Sequence, residues 1–194
     1  LMKYFLVIQE QQTKGEIFYN QEKYTMDLLK RFHMETCKPV NTPMALNEKL
    51  SQDNGAKKVD ANIYRILVGS LLYLTHTRTD IAQAVSMVSR FMNNPCQIHF
   101  AAAKRILRYL QGTKKIGIRY KFEDSEELVG YTDSDCTCSI DDRKSTSAYI
   151  FCLGTKIISW HSKKQQTVAL SSAEAEYMSA TEAACEAVWL RRIL

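Results

Sequence analysis

The sequence predicts an α+β chain in which a short hairpin and a run of helices precede three antiparallel strands and one long helix. Three observations carry that expectation. Apolar residues recur at helical spacing through the middle of the chain, strand-like runs separated by Gly-containing turns flank that stretch, and Ser172 to Leu194 reads as one uninterrupted helix. The 194 residues are 45% apolar and 24% charged, with only 7 Gly and 3 Pro, which describes a globular chain and excludes a disordered or collagen-like one. The longest uncharged apolar run, Ile66 to Tyr73, contains Gly69 and Ser70 and is far shorter than the roughly 20 residues that span a bilayer. The N-terminal residues alternate like a strand and carry no small-residue cleavage site, so the chain reads as intracellular, with no membrane partner.

Each element has a local reason. Tyr4 to Gln11 and Glu16 to Asn20 are expected as strands around the turn Thr13-Lys14-Gly15. Gln21 to Phe32 places Tyr24, Leu28, Leu29 and Phe32 at helical spacing. Lys38 to Val59, with Pro39, Pro43 and Asn54-Gly55, reads as a linker. Asp60 is expected to cap a helix whose stripe is Ile63, Ile66, Leu67, Leu71 and Leu74; Asp80 is expected to cap a second, with Ile81, Ala84, Val85, Val88 and Met92 on one side. A third helix runs from about Cys96 to Gln111, with Gly112 as its C′ residue, Ile106, Leu107 and Leu110 facing the core, and Lys104, Arg105 and Arg108 forming a cationic patch. Strands follow at Ile116 to Phe122, Leu128 to Asp133, Ala148 to Leu153 and Lys156 to Ser159, the last two joined by Gly154-Thr155.

Charge divides the chain after Phe122. Residues 1–122 hold 19 basic and 9 acidic side chains, net +10, and residues 123–194 hold 7 and 12, net −5. A basic part beside an acidic one suits a polyanion-binding surface next to a gathering of carboxylates, although solvated surface charge gives the same count. The six cysteines read as reduced structural thiols; Cys136-x-Cys138 lacks the two further ligands of a structural zinc site. A Cys–His hydrolase built from Cys136 or Cys138 with His161 is set aside, because nothing organises a triad or an oxyanion hole. His161 reads as a strand-end residue.

The acidic part holds two candidate elements. Gly130-Tyr131-Thr132-Asp133-Ser134-Asp135 puts two carboxylates at a strand end, on one face if the strand continues. Such a pair is costly unless a cation neutralises it, and the same six residues also describe a solvated turn. Ser171 and Glu174 have capping-box spacing, which accounts for Glu174 and leaves Glu176, with Ser179 and Ala180 beside it, free to face inward toward a strand end. An Asp on a strand and a Glu on the following helix are oxygen ligands of the kind that suit magnesium.

Ordered blocks along the whole chain carry a resemblance. They include Gly15-Glu16-Ile17-Phe18, Asp27-Leu28-Leu29-Lys30-Arg31-Phe32, Val40-Asn41-Thr42-Pro43-Met44, Tyr64-Arg65-Ile66-Leu67-Val68-Gly69-Ser70-Leu71-Leu72-Tyr73-Leu74, and Ala102-Ala103-Lys104-Arg105-Ile106-Leu107-Arg108-Tyr109-Leu110. They continue through the Asp133 segment, Asp141-Asp142-Arg143-Lys144-Ser145-Thr146-Ser147, Ser159-Trp160 and Ser171-Ser172-Ala173-Glu174-Ala175-Glu176-Tyr177. Together these blocks resemble the Pol polyprotein of copia-type long-terminal-repeat retrotransposons, at the C-terminal part of the reverse transcriptase and the N-terminal part of the ribonuclease H. The resemblance implies a late palm, thumb and connection-like region over residues 1–122 and an incomplete ribonuclease H-like unit over 123–194.

The resemblance further implies an RNA-directed DNA polymerase whose ribonuclease H cuts the RNA of RNA–DNA hybrids, with four carboxylates around two magnesium ions. Asp133 matches the first carboxylate and Glu176 the second, four residues beyond Ser172 as cap. The other two would lie downstream of Leu194, and the polymerase Tyr-x-Asp-Asp pair upstream of Leu1, so these 194 residues are expected to be inactive by themselves. The alternative is a non-catalytic nucleic-acid-binding remnant. Lys104, Arg105, Arg108, Lys114 and Lys115 are the candidates for nucleic-acid contact. Partners implied are RNA–DNA hybrid, DNA or RNA backbone and the rest of the polyprotein, in cytoplasmic virus-like particles or the nucleus. The chain departs from the family pattern at Cys136-Thr137-Cys138 for Trp-Ala-Gly, at Ala148 and Val7 for Gly, and at Thr79 for Pro; a lost glycine matters where the backbone needs positive φ. The strand Leu128 to Asp133 is expected to expose an unpaired edge, and with it poor stability or association.

Overall fold

A computed structural model of the chain describes residues 4–46, 48–52, 55–122, 127–135 and 139–194. The chain divides into two compact units, Leu1–Arg119 and Tyr120–Leu194. The fold is mixed, with helices and two separate sheets.

The first unit opens with strands β1 (Tyr4–Phe5), β2 (Ile8–Gln12) and β3 (Glu16–Asn20), joined later by β4 (Gly117–Lys121) in a sheet of order β1-β2-β3-β4. The turn before Glu16 forms as expected, Thr13 N–H donating to the Glu16 carbonyl at 2.9 Å. The single strand expected over Tyr4 to Gln11 is instead a hairpin. Phe5 pairs with Ile8, leaving Leu6 and Val7 as a two-residue turn with φ of 46° and 63°. A primed turn wants Gly, Asn or Asp, so a β-branched residue in the left-handed region is strained.

Helices α1 (Glu22–Arg31), α2 (Ala61–Leu74), α3 (Ala82–Ser89) and α4 (Gln97–Gly112) build the core. Asp60 caps α2 as expected, its carboxylate accepting from Asn62 N at 2.7 Å and Ile63 N at 3.4 Å. The buried stripe of α2 is shifted from the expected one. Tyr64, Leu67, Val68, Leu71 and Leu74 are buried, while Ile63 and Ile66 are 48% and 51% exposed. Tyr64 donates to the Val88 carbonyl at 2.8 Å, and burial pushes its hydroxyl well above the ordinary tyrosine range.

Asp80 is not the expected cap. It sits in a short 3₁₀ turn, Thr79–Ile81, where Arg78 grips it through Nε at 2.9 Å and Nη2 at 2.7 Å. The buried Arg78 also donates to the Thr113 carbonyl at 2.9 Å and to Thr113 Oγ1 at 2.8 Å, and Tyr109 donates to Asp80 at 2.8 Å. This network ties the turn after α2 to the end of α4. Burial alone would raise the Asp80 carboxyl, but the hydrogen bonds and charge of Arg78 hold it below the usual carboxylate range. Gly112 is likewise the last helical residue and not C′; Thr113 follows, and the left-handed glycines are Gly55 and Gly154. The linker remains irregular, with buried Leu50 and a single bridge from Lys58 to Cys96.

The second unit contains β5 (Leu128–Asp135), β6 (Thr146–Leu153), β7 (Lys156–Lys164) and α5 (Ser172–Ile193). The strands form an antiparallel sheet of order β5-β6-β7. Leu153 pairs with Lys156, so Gly154-Thr155 is the two-residue turn. β7 runs on to Lys164, which places His161 inside a strand and not at its end, its ring 5.4 Å from that of Tyr149. Phe151, Ala183 and Leu190 form the buried apolar centre, with Leu128, Tyr149, Ile158 and Ala187 packed around it. Ser171, not Ser172, caps α5: its Oγ accepts from Glu174 N at 3.1 Å, and Glu174 reaches back to Leu170 N at 2.6 Å.

Candidate carboxylate site and cationic helix face

β5 keeps an unbroken register with β6, from Leu128 opposite Leu153 to Asp135 opposite Thr146. Its two-residue alternation therefore holds through the acidic end, and Asp133 and Asp135 share one face while Thr132 and Ser134 take the other. Thr132 faces α5, where its hydroxyl lies 2.8 Å from Ser179 Oγ. Ser179, only 1% exposed, donates to the Asp133 carbonyl at 2.7 Å. The strand position that carries Asp133 is thus fastened to α5 through its backbone, one turn beyond Glu176.

Glu176 does not face inward as expected. Ala175 and Ser179 take the inward positions and Glu176 is exposed, as are Asp133 and Asp135. Among the described residues no ion pair or hydrogen bond neutralises these three carboxylates. Among the same residues no group of three or more His, Cys, Asp or Glu side chains converges as a metal site. Asp133 and Glu176 offer oxygen donors only, and both are open to solvent, which suits a hard cation such as magnesium in chemistry.

Two buried polar residues support this end of the unit. Gln165, 2% exposed, donates through Nε2 to Ser147 Oγ and to the Ala175 carbonyl, both at 2.9 Å, and so ties the chain just past β7 to the first turn of α5. Ser179 is the other. Nearby, Lys164 Nζ lies 2.7 Å from Asp142 Oδ2. Burial alone would raise the Asp142 carboxyl; hydrogen bonds from Lys164, Ser139 and the Lys144 amide, with the Lys164 charge, bring it down to about 2. Cys136 and Cys138 lie outside the described residues, and with them the hydrolase reading.

The cationic candidates lie in the first unit. Lys104, Arg105, Arg108 and Lys114 are half-buried and Lys115 is exposed. Lys104 Nζ stands 4.9 Å over the Phe100 ring, Arg105 Nη2 donates to Thr42 Oγ1 at 3.0 Å, and Arg108 Nε donates to the Lys38 carbonyl at 2.9 Å. No described helix is long and apolar enough to cross a membrane.

The chain is 45% identical over 193 residues to the retrovirus-related Pol polyprotein from transposon RE1 of Arabidopsis thaliana, covering all of this chain and 13% of that protein. It is 45% identical over 195 residues to the corresponding polyprotein from transposon TNT 1-94 of Nicotiana tabacum, covering 96% of this chain and 14% of that one. It is also 48% identical over 128 residues to secreted RxLR effector protein 161 of Plasmopara viticola, covering 66% of this chain and 90% of that protein. The chain belongs to the retrovirus-related Pol polyproteins of copia-type transposons, and spans about an eighth of the length of the first two relatives. No family model and no solved structure matches it significantly.

Proposed function

We propose that this chain forms part of a retrotransposon reverse transcriptase–ribonuclease H, contributing Asp133 and Glu176 to a two-magnesium site that cuts the RNA strand of RNA–DNA hybrids. The observation that carries this reading is the clamp in which Ser179 of α5 holds the Asp133 carbonyl at the end of β5. It fastens the backbone of the strand residue that bears one carboxylate to the helix that bears the other. Asp133 and Glu176 would hold magnesium, which when bound supplies an activated water and stabilises the leaving oxygen in an in-line displacement at phosphorus. Ser179 and Gln165 keep the strand and helix in place. Lys104, Arg105, Arg108, Lys114 and Lys115 grip phosphates without reading sequence.

On this reading the remaining carboxylates and the polymerase aspartates come from other parts of the polyprotein. The 194 residues alone therefore bind hybrid but do not cut it, and the intact protein acts inside the cell, in cytoplasmic particles or the nucleus. The test is cleavage of end-labelled RNA in an RNA–DNA hybrid, with magnesium and then manganese, by this chain and by a longer Pol stretch containing it. Cleavage by the longer protein is expected to vanish in Asp133→Asn and in Glu176→Gln. Cleavage that survives both substitutions overturns the assignment.

A second reading, a non-catalytic nucleic-acid-binding protein, is favoured by one observation. The matched 128 residues make up 90% of a relative far shorter than the polyproteins, so the same stretch forms most of a separate protein. Salt-dependent hybrid binding unchanged by Asp133→Asn, with no cleavage in the longer protein either, selects it.

A further inference from the structure

Among the described cations of the first unit, Arg105 and Arg108 donate to neutral oxygens, as Arg65 does to the Met92 carbonyl at 3.1 Å, but their two acceptors lie in one segment of chain. Arg78 is neutralised by Asp80 and Arg119 by Glu16, the latter pair at 3.2 Å. Arg105 and Arg108 instead donate to neutral oxygens, the Thr42 hydroxyl and the Lys38 carbonyl. Both acceptors belong to one irregular segment, Glu35 to Thr42, which lies along α4. Further along the same face, the Gln111 amide donates to the Glu35 carbonyl, and a Cβ placed on Gly112 would meet Pro39 Cβ at 3.0 Å. The contacts fall at positions 105, 108, 111 and 112, which share one side of a helix. α4 itself contains no acidic residue.

A guanidinium hydrogen-bonded to a carbonyl or hydroxyl is oriented without losing its charge. Arg105 Nε is buried without a partner, and the bond through Arg108 Nε leaves that side chain's terminal nitrogens uncommitted by any described contact. Thr42 and Lys38 are exposed, so the two half-buried forks stand at the solvent edge of the segment. Five donors in a planar fork match phosphate geometry, and holding the fork beforehand lowers the ordering cost of binding.

We propose that the Glu35–Thr42 segment and α4 together form a phosphate cradle for a nucleic-acid backbone, in which Thr42 Oγ1 and the Lys38 carbonyl are positioning groups for Arg105 and Arg108. This rests on the nucleic-acid-binding part of the reading above and adds the residues that orient the forks. Thr42 touches no phosphate in this assignment; it acts through Arg105.

The experiment is fluorescence anisotropy of a labelled RNA–DNA hybrid with the full 194-residue chain, over a series of salt concentrations. Arg105→Ala is expected to weaken binding about tenfold and to reduce the salt slope by about one phosphate contact. Thr42→Val, which removes the hydroxyl and keeps the shape, is expected to weaken binding about threefold to fivefold with the salt slope retained, and Thr42→Ser to restore it. In the Arg105→Ala background Thr42→Val should have no further effect, because the coupling runs through that one side chain. An equal Thr42→Val loss in both backgrounds, or no loss in either, overturns the positioning role. If Arg105→Ala and Arg108→Ala leave affinity and salt slope unchanged while the chain still binds hybrid, the cradle fails; if the unaltered chain binds no hybrid at any salt concentration, the nucleic-acid reading itself fails, a separate outcome.

Discussion

In the first unit 18 described apolar residues from α1 to α4 and their connections form one buried core, whereas the second unit buries only Phe151, Ala183 and Leu190 as its apolar centre. The difference follows from composition at the helix faces. α2 and α4 present Leu, Ile, Val and Tyr inward, while α5 presents Ala175, Ser179 and Ala183, with Leu190 its one large buried residue among those described. Small residues bring α5 close to the sheet and contribute little apolar area. They also leave a groove of about 540 Å³ along β5, lined by Leu128, Tyr131, Phe151, Ala180, Ala187 and Arg191 among others. β5 pairs with β6 alone, so among the described residues its other edge is open, as expected from the sequence. The second unit is held instead by directional bonds: Ser179 to Asp133, Gln165 to Ser147 and Ala175, and Ser159 to Glu186 at 2.7 Å. A packed core specifies a unit that stands by itself; polar clamps specify a local geometry between strand and helix.

This contrast can be read directly, because both tryptophans, Trp160 and Trp189, belong to the second unit. Their fluorescence reports that unit, and far-ultraviolet circular dichroism is dominated by the four helices of the first. The two signals should give separate urea transitions, the fluorescence one at lower urea. The largest single effect expected is for Leu107→Ala, a fully buried residue of α4. Its cavity should cost the first unit about 3 kcal/mol and leave the fluorescence transition in place. Coincident transitions that move together would show one cooperative core and break the comparison. Arg78→Ala comes next, at about 2 kcal/mol in the same unit, because it strands the partly buried Asp80 without its partner.

The first unit was the more legible in sequence, and where it misled the reason is local. Ile63 and Ile66 read as core because α2 is apolar on more than one side, so periodicity alone does not choose between that stripe and the one through Tyr64 and Val68. Asp80 read as a cap because it stands just before a helix. The buried Arg78, two residues earlier, takes its carboxylate with two charge-assisted bonds, which a backbone amide does not match. In the second unit the strands, the turn and the long helix followed from alternation and turn chemistry. Asp133 and Glu176 were singled out by motif and resemblance. Their supports were not, since Ser179 reaches a carbonyl 46 residues away and Gln165 works through contacts made only once β6 and α5 have met. No local periodicity encodes such bonds.

Smaller effects sharpen the comparison from each side. Ser179→Ala removes the clamp on the Asp133 carbonyl and leaves that acceptor without its side-chain donor. It should lower the fluorescence transition by about 1 to 2 kcal/mol and leave the dichroism transition unmoved. In the first unit, Val7→Gly should stabilise by about 1 kcal/mol, because φ of 63° is strained for valine and free for glycine. A destabilising Val7→Gly would show that the β1–β2 turn does not hold that conformation.

The smallest expected effect concerns acid. Asp142 titrates at about 2 in the folded second unit, below the unfolded carboxylate range near 4. A depressed folded value means that its stabilisation is complete above the unfolded value and is lost as pH falls through 4 toward 2. Its side chain and that of Lys164 are 35% and 31% exposed, so solvent and salt screen the pair and the net contribution should stay below about 1 kcal/mol. Asp80 is lowered in the same direction in the first unit, where it is gripped by a buried arginine and not by a surface lysine. Carboxyl NMR titration separates the causes at Asp142. Lys164→Met should move its midpoint back up toward the ordinary value, and high salt should do part of the same. A midpoint that stays near 2 in Lys164→Met assigns the depression to Ser139 and the Lys144 amide, and makes the loop after β5, not the ion pair to β7, the acid-sensitive element of the second unit.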